Sequence, residues 1–262
     1  MYRSRVIPCL LLKGKGLYKT TRFKEPRYLG DPINTLRLFN DKEVDEVVLL
    51  DISATVDNNG PNINYLRGMV AECFMPVCYG GGISTLNQVE ALYKIGIEKV
   101  SFNTALYNNP ELVKEAAKTF GSQSIVASLD VKKSLFGPKS IYIKGGSQKI
   151  KENPLEYAKR VEELGVGEIL LTSIDYEGKM NGYDYELIEK ISSAVSIPVI
   201  ANGGAGNLSN CVDAISAGAS AAAAGSLFVY YGSRKAVLVN YPTQEELTEA
   251  FKKIKTYTSI LS

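Results

Sequence analysis

Eight short runs rich in valine, isoleucine and leucine, each followed by an amphipathic stretch of roughly ten to fifteen residues, limit what this chain can fold into. The runs lie near 5–11, 46–51, 76–80, 98–103, 124–130, 168–173, 197–202 and 220–225. Helix-period segments follow them at about 31–43, 62–73, 85–95, 109–119, 153–164, 183–194, 207–217 and 243–256. Strand and helix alternating at this spacing build βαβ units with parallel strands. Several helices open with their own caps, such as Asp31 before Pro32 and Asn109 before Pro110. The side-chain oxygen accepts an unpaired N–H there, and proline suits the first turn. Eight such pairs in 262 residues predict a closed (β/α)8 TIM barrel, with an open doubly wound sheet as the alternative.

The alternation also repeats. Shifted by about 120 residues, DEVVLLDISA (45–54) aligns with GEILLTSIDY (167–176), GGGISTLNQVEAL (80–92) with NGGAGNLSNCVDAI (202–215), and EKVSFNTALY (98–107) with SAAAAGSLFVY (220–230). Self-similarity of this kind marks a repeated structural unit. The single domain 1–262 therefore reads as two half-barrels, about 1–122 and 123–262. In the same register VIPCLLL (6–12) lies opposite IVASLDV (125–131), so Leu11 answers Asp130. One half ends its leading strand in a carboxylate, the other in an isobutyl group.

Barrels of this kind do chemistry at the C-terminal ends of their strands. This sequence places Asp51, Gly80 to Gly82, Asn103, Thr104, Asp130, Asp175, Asn202 to Gly204, Gly225 and Ser226 there. Glycines between a strand and a helix expose backbone N–H groups that can hold a phosphate. Two such groups at equivalent positions predict a mouth able to hold two phosphates on opposite sides. Asp130 and Asp51 are the general-base candidates, since a carboxylate in an apolar mouth has its proton affinity raised by desolvation. Asp51 reads equally well as a residue that bonds loop backbone. Lys19, beyond an expected flexible loop at 13–18, is placed either to fold over an anionic substrate or to stand in solvent.

The chain contains no histidine, which removes imidazole as a base, a triad member or a metal ligand. Proton transfer must then use carboxylates, lysines, tyrosines or cysteines. Cys9, Cys73, Cys78 and Cys211 form no C-x-x-C pair and read as buried, inert thiols. No metal or cofactor is expected. With 30 basic against 28 acidic residues, the net charge of +2 creates no field that would attract nucleic acid or a lipid surface. Without an apolar run of about 18 residues or a signal-peptide plan at the start, the expectation is a cytoplasmic protein.

Arg5, Glu46, Lys99 and Glu168 lie at the starts of four strands. A charge there is ordinarily a solvated end, but inward-facing residues of alternate strands share a layer and would meet on the barrel axis. Buried ion pairs add little net stability, so such a ring suggests another role.

The segments FGSQSIVASLD, GVGEILLTSIDYEG, EKVSFNTA, YGGGI and GGAG resemble the cyclase subunit of imidazole glycerol phosphate synthase, over residues 1 to about 230. The resemblance implies a glutaminase docked at the N-terminal face, whose ammonia passes a gate at Arg5, Glu46, Lys99 and Glu168. It would then cross the barrel to a bisphosphorylated, nucleotide-like substrate. It also implies phosphate binding at Gly82, Asn103, Thr104, Gly178, Gly204, Gly225 and Ser226, with Lys19 at the family's loop lysine. Asp51 and Glu177 join the expected substrate-binding set.

The departures matter as much as the matches. The family's leading strand reads CLDV, and its aspartate is one of two carboxylates that act as acid and base; here Cys9-Leu10-Leu11-Leu12 puts Leu11 at that position and leaves Asp130 alone. In the family's D-x-D-G, Asp175 keeps the first acid and Glu177 replaces the second, one methylene longer. The CLLLK stretch and the tail VYYGSRKAVLVNYP (229–242) resemble a paralogous branch associated with bacterial surface-polysaccharide loci. That implies an ammonia conduit serving a sugar amidotransferase. A working cyclase of histidine biosynthesis and a non-catalytic, phosphometabolite-binding activator of the glutaminase remain the alternatives.

Overall fold

The computed structural model describes residues 3–134 and 137–258. The first two and last four residues, which fall inside the expected half-barrel ranges, lie outside the described residues. Eight strands, β1 (Arg5–Lys13), β2 (Val47–Asp51), β3 (Val77–Gly80), β4 (Lys99–Phe102), β5 (Ile125–Lys133), β6 (Glu168–Ser173), β7 (Val199–Asn202) and β8 (Ala221–Ala224), pair in parallel around a closed ring. The (β/α)8 barrel holds and the open sheet is excluded. Both faces of each strand are covered, which explains why the strands read as unbroken apolar runs.

The helices α1 (Pro32–Asp41), α2 (Ile63–Val70), α3 (Leu86–Lys94), α4 (Pro110–Phe120), α5 (Pro154–Glu163), α6 (Tyr185–Ser192), α7 (Leu208–Ser216) and α8 (Gln244–Thr258) follow the strands in turn. Asp31 Oδ1 accepts from the Asn34 N–H at 2.8 Å, and Asn109 caps α4 through the Leu112 N–H at 3.4 Å. Capping boxes open α3 and α7, at Thr85 with Gln88 and at Asn207 with Asn210, equivalent positions of the sequence repeat. Among the described residues, no helix is long and apolar enough to cross a membrane.

The structure departs from expectation where the leading strands continue. Instead of a flexible loop at 13–18, β1 runs to Lys13 and turns into a hairpin of Gly16–Thr21 against Lys24–Gly30. At its tip Arg22 and Phe23 both adopt positive φ, 55° and 62°, a left-handed turn that glycine or asparagine normally supplies. In parallel fashion β5 extends to pair with Lys139–Ile143, which in turn pairs with Gln148–Lys149. Leu11 lies opposite Tyr18 in the first extension and Asp130 opposite Tyr142 in the second. The two extensions meet over the barrel, where the Phe23 ring lies so near Gly146 that a Cβ there would come within 2.8 Å of it.

Candidate functional site

Four charged side chains close the N-terminal end of the barrel. Arg5, Lys99 and Glu168 are the first residues of β1, β4 and β6, and Glu46 directly precedes β2. The Arg5 guanidinium donates to Glu46 through one Nη and to Glu168 through the other. Lys99 Nζ lies 3.1 Å from both Glu46 oxygens and 2.9 Å from Glu168 Oε2. Each carboxylate thus meets both cations, and the charges cancel. The glutamates are buried, whereas Arg5 and Lys99 keep part of their side chains open. Burial works against the Lys99 charge, but Glu46 and Glu168 outweigh it and raise the pKa above the ordinary lysine value. Arg5 is raised in the same way, with Glu168 ahead of Glu46 in opposing burial.

Beyond the ring the lumen is hydrocarbon. Ile7, Val48, Cys78, Val126, Leu170 and Ile200 form its wall with Ala221 and Ala223 of β8, all buried. Burial pushes the Cys9 thiol up to about 12 and the Cys78 thiol well above its ordinary value, so both stay protonated at neutral pH.

At the C-terminal end the lumen opens into a cavity of about 310 Å³ whose two sides differ in chemistry. Asp130, Ser128 and Thr172 line one side, and Leu11, Cys9 and Leu50 stand at the equivalent repeat positions on the other. The registers agree, since Asp130 pairs with Thr172 across β5 and β6, and Leu11 with Leu50 across β1 and β2. Sequence reading singled out Asp130 and Leu11 but missed the rest of this exchange. Burial raises the Asp130 pKa to about 7, opposed by a hydrogen bond with Thr172. Asn103 Nδ2 donates to its Oδ2 at 3.2 Å.

The other acids of the mouth are engaged by the protein itself. Asp51 lines the cavity, yet its Oδ1 accepts from the Ser53 N–H, the Ser53 hydroxyl and the Ala54 N–H at 2.9, 3.0 and 3.0 Å. Asp175 is not in the cavity lining and accepts from the Lys133 N–H at 2.7 Å. Glu177 clamps the first hairpin: its carboxylate takes the Lys19 ammonium, the Thr20 hydroxyl at 3.1 Å and the Phe23 N–H at 3.2 Å. Gly178 completes this contact, with φ at +76° and the Thr20 carbonyl 2.5 Å from where a Cβ would stand. Lys19 is therefore buried in a strand rather than swinging on a loop. Burial pulls its pKa to about 8, so it keeps its proton at pH 7.

The remaining expected residues, Gly82, Asn103, Thr104, Gly204, Gly225 and Ser226, all line the same cavity. A Cβ on Gly204 would collide with the Gly182 carbonyl, and its φ of +127° suits glycine alone. Among the described residues, no three His, Cys, Asp or Glu side chains come together as metal ligands would.

A charged ring, an apolar interior and a mouth rimmed by glycines follow one another along the axis of a repeat-built barrel. A family model described as histidine biosynthesis protein matches residues 5–235. The chain belongs to this family. A Pseudomonas aeruginosa relative, provisionally named imidazole glycerol phosphate synthase subunit hisF2, is 51% identical over 94% of this chain and 99% of its own length. A Vibrio vulnificus relative, provisionally named subunit hisF3 of that synthase, is 45% identical over 96% of this chain and 98% of its own. The imidazole glycerol phosphate synthase subunit HisF of Alkaliphilus metalliredigens is 40% identical over 88% and 92% respectively.

Within this histidine biosynthesis protein barrel, Asp130 carries a measurable signature. Its carboxyl binds a proton more tightly folded, at about 7, than in the unfolded chain near 3.8. The folded state therefore holds the extra proton between those values, and stability falls as pH rises from about 4 to 7. Asp130→Asn removes that penalty. The variant is expected to match the parent in unfolding free energy below pH 4 and to exceed it by a few kcal/mol above pH 7, the order set by about 1.4 kcal/mol per pKa unit. Urea titrations across pH 4–8 check this, and a difference that does not vary with pH would contradict it.

Proposed function

We propose that this barrel is the ammonia-conducting subunit of a glutamine amidotransferase complex of the imidazole glycerol phosphate synthase type and does not itself close an imidazole ring. A glutaminase partner occupies the N-terminal face, where the ring of Arg5, Glu46, Lys99 and Glu168 acts as its gate. Ammonia, small and uncharged, crosses the hydrocarbon lumen to the mouth. The acceptor is a sugar amidinated by a second enzyme in surface-polysaccharide (O-antigen) assembly. The complex works in the cytoplasm, and the mouth takes a phosphorylated small molecule.

The observation that carries this reading is the apolar side of the mouth. Ring closure needs a proton removed and another delivered, and positioned acid–base groups supply about 10²–10⁴-fold each. Asp130 has the position and the raised proton affinity for one task. On the opposite side Leu11, Cys9 and Leu50 offer no counterpart, Glu177 is taken up by three donors on its two oxygens, and Asp51 gives one oxygen to the turn that follows β2. The test is genetic. A strain lacking its histidine-pathway cyclase is expected to stay histidine-requiring when supplied with this protein, and restored growth would favour the cyclase reading instead.

A further inference from the structure

The small net charge conceals a segregation. Three extensions stand above the mouth: the hairpin that ends β1, the strands that prolong β5, and a short hairpin after β8 that pairs Tyr230–Tyr231 with Ala236–Val237. Residues 13–30 hold six basic side chains and one acid, residues 131–149 five and none, and residues 229–242 two and none. That is 13 of the chain's 30 basic residues with one of its 28 acids, so the 17 basic residues of the remainder are outnumbered by 27 acids. The barrel body is negative and its crown positive.

Among the described residues only Lys19 and Lys139 of this crown form ion pairs, with Glu177 and Asp184. Arg27 lies over the Tyr230 ring, 5.5 Å from its centroid, which ties the third extension to the first. Lys15, Lys24, Lys144, Arg234 and Lys235 are exposed. Ligand binding in the mouth does not account for them, because Lys19 is the single basic side chain lining the cavity among the described residues. Nor does stability: burial lowers the Lys19 pKa and Lys235 adds to it, so like charges oppose one another within the crown. The same surface exposes Tyr28, Tyr231, Val237 and Leu238. Tyrosine and arginine with a charged rim are what protein interfaces are enriched in. Nucleic acid offers tyrosine a stacking partner but little to Val237 and Leu238, which at 43% and 52% exposure stand too nearly flush with the surface to enter a bilayer.

We infer that the crown is the docking surface for a protein whose contact face is acidic, with apolar side chains among its carboxylates. Complementary charge of this kind orients a partner and speeds its encounter. Docked there, the partner lies over the C-terminal mouth, at the end of the barrel opposite the charged ring. The inference goes beyond the proposed function and holds whether or not ammonia crosses the barrel.

Four polyanions test it on the intact protein, with affinities compared per negative charge: the copolymer poly(Glu,Tyr), poly-L-glutamate, poly(U) and phosphatidylglycerol vesicles. Poly(Glu,Tyr) is expected to bind tightest, roughly tenfold better than poly-L-glutamate, the gain from covering on the order of 60 Å² of apolar surface. Arg234→Glu with Lys235→Glu, and Lys15→Glu with Lys24→Glu, are each expected to weaken that binding roughly tenfold, several exposed charge contacts of modest strength acting together. Lys42→Glu with Lys118→Glu changes the net charge equally but away from the crown, and is expected to stay within about twofold of the parent, since screening confines the effect to charges near the contact. Equal weakening by both kinds of variant, no gain from tyrosine, or no binding of any polyanion would each overturn the inference. Tighter binding of poly(U) or of the vesicles would overturn it by assigning the crown to nucleic acid or to lipid. Sedimentation at the same low salt covers the remaining occupant: self-association abolished by the crown variants would assign the surface to the acidic body of a second copy. None of these readouts depends on cyclase or ammonia-transfer activity.

Discussion

Offered the bisphosphorylated nucleotide of the histidine pathway with ammonium salts, the protein is expected to form imidazole product about 10²–10⁴-fold more slowly than a cyclase with two acid–base carboxyls. Ammonium salts bypass the glutaminase, so the deficit reports the mouth alone. The cause is local: Leu11 occupies the position equivalent to Asp130, and its neighbours Leu50 and Cys9 make that side hydrocarbon. Leu11→Asp alone is expected to fall short of a working rate. The new carboxyl would face the same apolar side, where desolvation favours its protonated form and leaves two acids competing for the same task. Product formed by the unchanged protein at the rate of a working cyclase would overturn the conduit reading outright.

The second large effect concerns the ring. Lys99→Met is expected to lower the unfolding free energy by about 3–5 kcal/mol at pH 7, because one buried carboxylate loses its counter-charge. Glu46 and Glu168 would then share Arg5 alone. The excess charge raises the proton affinity of one glutamate in the folded state, so the variant regains stability as pH falls and that glutamate is protonated. Lys99→Met with Glu168→Gln restores neutrality and should recover most of the loss. If the ring is a gate, both variants, assembled with the glutaminase, release ammonia to solution instead of passing it to the acceptor. Measuring free ammonia per glutamine hydrolysed separates the two roles: coupling that returns with stability in the double variant marks a structural plug.

The barrel was legible because its signal is redundant. Eight apolar runs, their caps and their repeat all point to one architecture, and β6 matches its expected span of 168–173. The ring was legible too, since charges at strand starts can share one layer only if the sheet closes. The hairpin of Gly16–Thr21 and Lys24–Gly30 was not. Lys13-Gly14-Lys15-Gly16 looks like solvated loop, and Arg22-Phe23 carries none of the residues that announce a left-handed turn. What stabilises that turn is Glu177, more than 150 residues away in the chain. The same distance hid the fate of Lys19, whose ammonium is taken by Glu177. For Asp51 the sequence left two readings, and the three donors on its Oδ1 explain why: a carboxylate at a strand end can satisfy a turn and still face the cavity.

The dry wall between the ring and the mouth has a consequence for proton traffic. Ile7, Val48, Cys78, Val126, Leu170 and Ile200 give an ion nothing to exchange for its hydration shell. On the conduit reading, an ammonium ion has to shed its surplus proton before this stretch, and only the neutral amine crosses. On that reading the amine reaches the mouth with its lone pair free, and a charged nucleophile could not follow it.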